Sequence, residues 1–214
     1  MALWDLQGSS MSRNDKGAHQ GHVTAVSWGC SFHPGAAEDP EMSEVYLTGG
    51  QDGVVRVWDA RSRAGCQGEL DLHTNEKGRG AVGFIQPCPA TGQVRWVPSG
   101  LDRDGQGGEH RSTALFVRQV VTAGADGTVC VVDPRSGFET VSRTKLTDFP
   151  YELKVAGSLA LAGCGDGSLH VIDTKTGATQ YALGANRAAV RYIAASEGKL
   201  VAAGDDGTAI LYDF

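Results

Sequence analysis

The sequence predicts an all-β protein built from about four copies of one hairpin, and two observations carry this prediction. The first is the stretch 47–61, which reads LTGGQDGVVRVWDAR. Two short runs of strand-forming residues flank a turn at Asp52-Gly53, where glycine adopts positive φ without a Cβ clash and aspartate bonds to nearby amides. The second observation is that related hairpins begin at Val121, Ala160 and Val201.

The hairpins recur at regular distances along the chain. Their turn aspartates are 74, 40 and 40 residues apart, and they are Asp52, Asp126, Asp166 and Asp206. A period of about 40 to 45 residues, with an Asp-Gly turn and a closing Trp-Asp pair or its remnant, is typical of a β-propeller blade. On these residues, nearly the whole chain resembles the WD-repeat β-propeller family. The resemblance implies about four blades stacked around an axis.

Composition is that of an ordinary globular domain. The chain is 41% hydrophobic and 21% charged, and its 30 glycines suit many short strands and tight turns. No apolar run is long enough to span a membrane and no secretory signal pattern is present, which predicts a cytoplasmic protein, with the nucleus as an alternative. The net charge of −6 argues against nucleic acid as a partner, because no basic excess is available to neutralise phosphates.

Cysteines and acidic residues predict no metal site. Tight C-x-x-C pairs are absent from the sequence, so we expect free thiols in a reducing compartment. The five cysteines are Cys30, Cys66, Cys88, Cys130 and Cys164. Residues 102–107 match the opening of a calcium loop, but Thr113 stands where that loop requires a bidentate glutamate.

The repeat pattern divides the chain into a short first part and four blades. Residues 1–20 are predicted to be the end of a preceding blade, because Trp4-Asp5 repeats Trp58-Asp59, followed by a polar segment that forms a loop or an outer strand. Residues 21–214 are predicted to be blades, with approximate bounds of 21–72, 80–146, 150–184 and 188–214. Two insertions interrupt the first two blades between their first and second strands, at residues 30–44 and 86–115.

The last predicted blade ends after its third strand. WD-repeat propellers commonly close by letting an N-terminal segment supply the fourth strand, and Ala2 to Leu6 are candidates for that role. Because Trp4-Asp5 instead indicates the third strand of an earlier blade, we expect an incomplete propeller, the C-terminal part of a larger one. An open stack exposes an apolar face, which predicts self-association or a partner chain that completes the propeller.

The resemblance also implies a buried hydrogen-bonded set in the first blade. A buried carboxylate requires donors and a buried indole N–H requires an acceptor, so the set is physically sensible. The residues that match the family's pattern are His22, Thr48, Asp52 and Trp58. In the third and fourth blades the pattern places Ala162 and Ala203 at the threonine position, and we expect those blades to depend on apolar packing.

Catalytic motifs are absent from the sequence. It contains no phosphate-binding loop with Lys-Ser or Lys-Thr, no H-E-x-x-H and no G-x-S-x-G. The Asp-Gly pairs recur at the repeat period, which identifies them as turn residues. We therefore expect no catalytic residue, no cofactor and no enzymatic activity, and we predict a scaffold that binds other proteins.

One face of the predicted propeller gathers the unusual features. The loop between the first and second strands of a blade and the loop after its third strand leave from the same face. Both insertions are of the first kind, while Arg61 and Arg135 follow third strands on the same two blades. Because binding residues concentrate on loops held by a rigid scaffold, we expect a partner there.

The two arginines support a second hypothesis. The segment Trp58–Arg61 is similar to the Asp-x-Arg box of WD-repeat substrate receptors, which dock on the adaptor of a cullin-type ubiquitin ligase; Asp133-Pro134-Arg135 resembles a second box without tryptophan. Such an arginine offers a fork of hydrogen bonds to a partner. Alternatively, Arg61 pairs with a nearby acid or with the edge of its own blade. The sequence is compatible with both general scaffolding and ligase docking.

Overall fold

The computed structural model describes residues 2–5, 10–14, 17–28, 45–62, 65–75, 78–96, 110–184, 186–196 and 198–213. In these residues every regular element is a β-strand, apart from one turn of 3-10 helix at Pro134–Ser136. They contain no helix with the length and apolarity needed to cross a bilayer. The strands form four antiparallel sheets of three or four strands and two small two-stranded sheets, so the predicted all-β fold is confirmed.

The first two sheets are the first and second blades. A separate hairpin of β1 (Ala2–Asp5) and β2 (Ser10–Asn14) precedes them. The strands of the first blade, from the inside outwards, are β3 (Val23–Trp28), β4 (Val45–Gly50), β5 (Val54–Asp59) and β6 (Cys66–Asp71). After a small hairpin, β7 (Thr74–Asn75) and β8 (Gly78–Arg79), the second blade contains β9 (Val82–Trp96), β10 (His110–Gly124), β11 (Thr128–Asp133) and β12 (Glu139–Lys145).

The other two sheets are the third and fourth blades. The third contains β13 (Pro150–Ala156), β14 (Leu159–Cys164), β15 (Ser168–Asp173) and β16 (Thr179–Gly184). The fourth has three strands, β17 (Val190–Ser196), β18 (Lys199–Gly204) and β19 (Ala209–Asp213). In every blade the first strand is the innermost, and consecutive strands are neighbours in the sheet.

The blades stack side by side through their inner strands. Strand β3 lies beside β9, β9 beside β13, and β13 beside β17. One apolar cluster fills the space between each pair of consecutive blades. In β11, Cys130 and Val132 pack towards the first blade, while Val129 and Val131 pack towards the third. Because successive side chains of a strand point to opposite faces, the strands inside the stack are apolar on both faces.

The first hairpin of the second blade is much longer than predicted. Residues 86–96 and 110–115 do not leave the sheet as an insertion, because they continue the ladder between β9 and β10 as far as the pair Trp96 and His110. Cross-strand pairing gives these backbone groups hydrogen-bond partners that an irregular loop would lack. The remainder of this insertion, 97–109, and the first insertion, 30–44, lie outside the described residues.

The N-terminal segment forms a separate hairpin. Ser10–Asn14 lies in the segment predicted to be either a loop or an outer strand, and it is a strand paired antiparallel with Ala2–Asp5. Among the described residues, no strand pairs with the outer edge of β19, so Ala2–Asp5 does not close a four-bladed ring. The register also corrects one alignment: Thr48 pairs with Arg56 as Ala202 pairs with Ile210, so Ala202, not Ala203, occupies the threonine position of the fourth blade.

The turn glycines offer a test of how tightly the blades are stacked. Gly53 and Gly207 have φ of 75° and 74°. A Cβ on Gly53 would lie 2.7 Å from the backbone oxygen of His73, whereas a Cβ on Gly207 meets nothing within 4 Å. We expect Gly207→Ala to cost about 1–2 kcal/mol of unfolding free energy from its left-handed backbone alone. Gly53→Ala should cost about 1–3 kcal/mol more, because the backbone of the next loop must move.

Urea denaturation of the two variants measures this difference. Equal losses of unfolding free energy in Gly53→Ala and Gly207→Ala would contradict the close approach of Gly53 to His73.

Candidate functional site

A buried hydrogen-bonded set lies beside the first blade, and its histidine is His19. The Nδ1 atom of His19 is 2.9 Å from Asp52 Oδ1, and its Nε2 is 2.7 Å from Thr48 Oγ1. The indole of Trp58 donates to the same Thr48 oxygen at 2.8 Å. Since the carboxylate only accepts, Nδ1 carries the proton, and Nε2 accepts from the Thr48 hydroxyl. The structure therefore brings together three of the four predicted residues.

His22 is the residue that sequence reasoning placed wrongly. Its backbone carbonyl accepts from the amide of Gln51 at 2.9 Å, which fixes it directly before β3, and its side chain is exposed. His19 lies three residues earlier, in the loop that folds back over the turn, and the following amide of Gln20 also donates to Asp52 Oδ2 at 3.0 Å. Position in the loop, rather than the Gly-His dipeptide, decides which ring is buried.

Arg56 is a further member of this set that sequence reasoning missed. Its Nη1 donates to Asp52 Oδ2 at 2.8 Å, and its Nε donates to Glu69 of the outer strand at 2.9 Å. The same Nη1 lies 2.6 Å from His19 Nδ1, which cannot accept while it donates to Asp52, so we assign the hydrogen bond to the carboxylate. Burial alone would raise the pKa of Asp52, but the hydrogen bonds from Arg56, Gln20 and His19 outweigh it and hold that pKa well below its usual range.

The second blade repeats the set with a histidine that was not predicted. His73 Nδ1 is 2.9 Å from Asp126 Oδ1, and His73 Nε2 is 2.9 Å from Thr122 Oγ1. The hydroxyl of Thr128 donates to the other oxygen of Asp126 at 2.5 Å. Burial would raise the pKa of Asp126, and the bonds from His73 and Thr128 lower it overall. No glycine precedes His73; its only sequence signal is its place after Leu72, at the end of the outer strand.

The third and fourth blades keep reduced versions of the same arrangement. Thr147 follows Leu146 as His73 follows Leu72, and its hydroxyl lies 3.0 Å from Ser168 Oγ, which donates to Asp166. In the fourth blade, Asn186 Nδ2 donates to Asp206 Oδ1 at 3.0 Å. Apolar clusters pack against both blades, as expected, and in addition a shorter polar side chain takes the place of the histidine.

The four turn aspartates have a structural role, which is to close the turns of their hairpins. All four accept hydrogen bonds from the amide two residues further on, at Val54, Thr128, Ser168 and Thr208. An aspartate that accepts such bonds closes the turn of its hairpin. In the described part of the chain, no three His, Cys, Asp or Glu side chains are grouped so that they could hold a metal ion.

Arg61 and Arg135 form two matching forks on the opposite, loop-bearing side of the blades. Arg61 donates to Asp59 from its backbone amide at 2.9 Å, from Nε at 3.1 Å and from Nη2 at 2.9 Å. Arg135 repeats these bonds to Asp133 at 2.9, 2.9 and 2.6 Å. Each arginine is exposed and pairs with an acid of its own blade. The hydrogen bond from Arg61, with a smaller opposing effect of burial, lowers the pKa of Asp59.

The described cysteines are separate thiols. Cys66, Cys88, Cys130 and Cys164 form no disulfide, while Cys30 lies outside the described residues. Burial raises the pKa of the Cys130 thiol to about 11, so it stays protonated in the core.

Comparisons with known proteins agree with this architecture. The family model "WD domain, G-beta repeat" matches residues 14–59. No curated protein matches the sequence. Among solved structures, the chain is similar to the computationally designed Ika4 protein, with a TM-score of 0.61, 18% identity, and coverage of 91% of this chain and 92% of Ika4.

Two larger structures are also similar. The computationally designed Ika8 protein has a TM-score of 0.62 and 19% identity over 92% of this chain and 47% of Ika8. Sqt1 of Saccharomyces cerevisiae has a TM-score of 0.70 and 13% identity over 99% of this chain and 52% of Sqt1. The chain thus spans about half the length of these two proteins, and the low identities show the fold alone. Residues 14–59 are therefore a WD repeat, and the chain as a whole has the fold of the WD-repeat β-propellers.

Proposed function

We propose that this chain is a non-catalytic platform that binds other proteins, in the cytoplasm or nucleus, through the face that carries Arg61 and Arg135. The observation that carries the proposal is the repetition of one exposed Asp-x-Arg fork on two adjacent blades. Exposed ion pairs add little stability, so folding by itself does not explain why the fork is repeated. WD repeats are generally interaction scaffolds, which supports the same conclusion.

The geometry of each fork suits partner recognition. Two hydrogen bonds to Asp133, donated by the Nε and Nη2 atoms of Arg135, hold its guanidinium in one orientation. The Nη1 group takes no part in these two hydrogen bonds. Because the guanidinium is planar, the bonds also set the direction of Nη1. An arginine held in advance loses less side-chain entropy when it binds a carboxylate or carbonyl group of a partner. On the same side of the same two blades, strands β3 and β9 end and strands β4 and β10 begin.

A pull-down from cell extract tests this surface. We expect the double variant Arg61→Ala/Arg135→Ala to lose partners that the unchanged chain retains. Arg191→Ala is the matched control, because Arg191 is an equally exposed arginine paired with an acid, Asp205, away from this face. A partner set that is unchanged by the double variant, or equally reduced by the control, would contradict the proposed surface.

A second candidate function is substrate receptor of a cullin-type ubiquitin ligase, docking through the two Asp-x-Arg boxes. The specific observation in its favour is that Asp59 and Arg61 and, one blade later, Asp133 and Arg135 adopt the same conformation. The same pull-down decides between the two functions. Recovery of a ligase adaptor that depends on both arginines supports the receptor; recovery of other partners without any adaptor leaves the general platform and excludes the receptor.

A further inference from the structure

The two ends of the blade stack expose faces that are buried everywhere inside it. We call the side of a blade that points towards the previous blade its leading face, and the side that points towards the next blade its trailing face. Each internal interface joins a trailing face to a leading face, as between the first and second blades. The leading face of the first blade and the trailing face of the fourth are the two ends.

At the leading end, side chains of the innermost strand β3 are exposed although the equivalent residues of the other blades are buried. Pairing with the second strand makes Val26 of β3 equivalent to Ile85, Leu153 and Ile193 in the other blades. Those three side chains are buried against the preceding blade, but Val26 is 66% exposed. Val23, equivalent to the fully buried Val82 and Val190, is 49% exposed. The first blade therefore has the apolar residues of an internal interface without the blade that would cover them among the described residues.

The trailing end shows the same difference. Leu211 of β19 is equivalent by register to Val57, Val131 and Val171, which are all buried against a following blade. Leu211 is 59% exposed. Tyr192, equivalent to Phe84 in the second interface, is 74% exposed. Apolar side chains that are exposed together at an end of the stack, where the equivalent residues inside it are covered, mark an interaction surface.

The curvature of the stack decides what fits these faces. The first and last inner strands, β3 and β17, do not lie side by side as consecutive inner strands do, so the described blades form an open arc. That arc superposes on about half of Sqt1 and about half of Ika8. An arc of half a ring is completed by a second identical arc after a rotation of 180°, which places each leading face on a trailing face.

We propose that a second copy of this chain docks head to tail on the first, so that two chains form one closed ring. The leading face of one chain, at Val23 and Val26, covers the trailing face of the other chain, at Tyr192 and Leu211. The two-fold rotation makes this interface occur twice in the dimer. One chain carries both halves of this interface, and both halves have the residue types of the internal interfaces. At one position of the second strand, Gly49 and Gly163 leave room for a valine of the next blade. The fourth blade has Ala203 at this position, and the second blade has Ala123 there, so an alanine is already present in one internal interface.

The dimer does not depend on the proposed function, because Arg61 and Arg135 lie on the loop-bearing face rather than on either end. Its test is the mass of the full chain in solution, measured by light scattering over a wide range of concentrations. We expect twice the 22.4 kDa of one chain. Val26→Asp and Leu211→Asp should each halve that mass, because each places a carboxylate in both interfaces. Val141→Asp, on the exposed outer strand β12, is the control and should keep the dimer.

Circular dichroism establishes that each variant is folded, which is expected because all three replaced side chains are exposed. A mass of 22.4 kDa for the unchanged chain at every concentration would overturn the proposal. So would a dimer that persists in both Val26→Asp and Leu211→Asp, since another surface would then hold it. A ladder of larger species would show that the end faces associate without closing a ring, which also contradicts the two-fold dimer.

Discussion

Replacement of His19 with alanine is expected to lower the free energy of unfolding by about 3 kcal/mol. The variant removes the ring that lies between Asp52 and Thr48, both of which are buried. The carboxylate then loses one donor in a site with little access to water, although Arg56 still neutralises it. Because a buried charge that loses its partner retains its desolvation cost, the loss exceeds that of an exposed hydrogen bond. Urea denaturation of the purified chain measures the change.

His22→Ala is the matched control for that experiment. His22 is three residues away in the same loop, and its side chain is exposed, so we expect its unfolding free energy to change by no more than about 0.5 kcal/mol. The comparison separates the two histidines of the segment AHQGH directly. A larger loss in His22→Ala than in His19→Ala would refute the assignment of His19 to the buried set.

Replacement of Leu153 with alanine is expected to cost about 3–5 kcal/mol. Leu153 is fully buried in the cluster between the second and third blades, where it packs with Val121 and Ala162. Strands packed on both sides cannot move far enough to fill the cavity. The free-energy cost of the cavity therefore adds to the transfer free energy lost with the side chain. Denaturation followed by circular dichroism measures the loss.

Val141→Ala provides the contrast for the Leu153 experiment. Val141 is on the exposed outer strand of the second blade, and we expect its truncation to cost at most about 1 kcal/mol, the range of strand propensity. Losses of similar size in the two variants would mean that stability does not come from the contacts between blades. The stacking of blades would then not be the main source of the folding free energy.

The four turn aspartates show how one structural role survives changes of residue type. His19, His73, Thr147 and Asn186 occupy the same loop before the inner strand. The first two and Asn186 contact the turn aspartate of the blade, while Thr147 contacts Ser168, the strand residue that follows the turn. The two histidines also contact a threonine of the second strand, Thr48 or Thr122. The side chains of Thr147 and Asn186 are shorter and make no such contact. A shorter side chain suffices where the second strand carries Ala162 or Ala202, because no buried hydroxyl then requires a partner.

Several features of the site could be predicted because they depend on local chemistry. Asp52 and Gly53 predict their turn because its geometry depends on these adjacent residues. Arg61 follows Asp59 closely enough for pairing with a nearby acid to be foreseen as an alternative. The identity of the buried histidine could not be predicted in this way. His19 and His22 have the same chemistry, and only the return path of the loop over Asp52 distinguishes them.

The sequence by itself determined the all-β class, the repeated hairpin and the approximate number of blades, because strand alternation and Asp-Gly turns are encoded within a few residues. Tertiary structure decided the rest: that His19, Arg56 and His73 are the buried partners, that residues 86–96 and 110–115 continue a ladder, and which apolar faces are not covered by another blade in the described part of the chain. These depend on contacts between distant segments, and the physical reason is that a strand's pattern shows which side is apolar but not what lies against it.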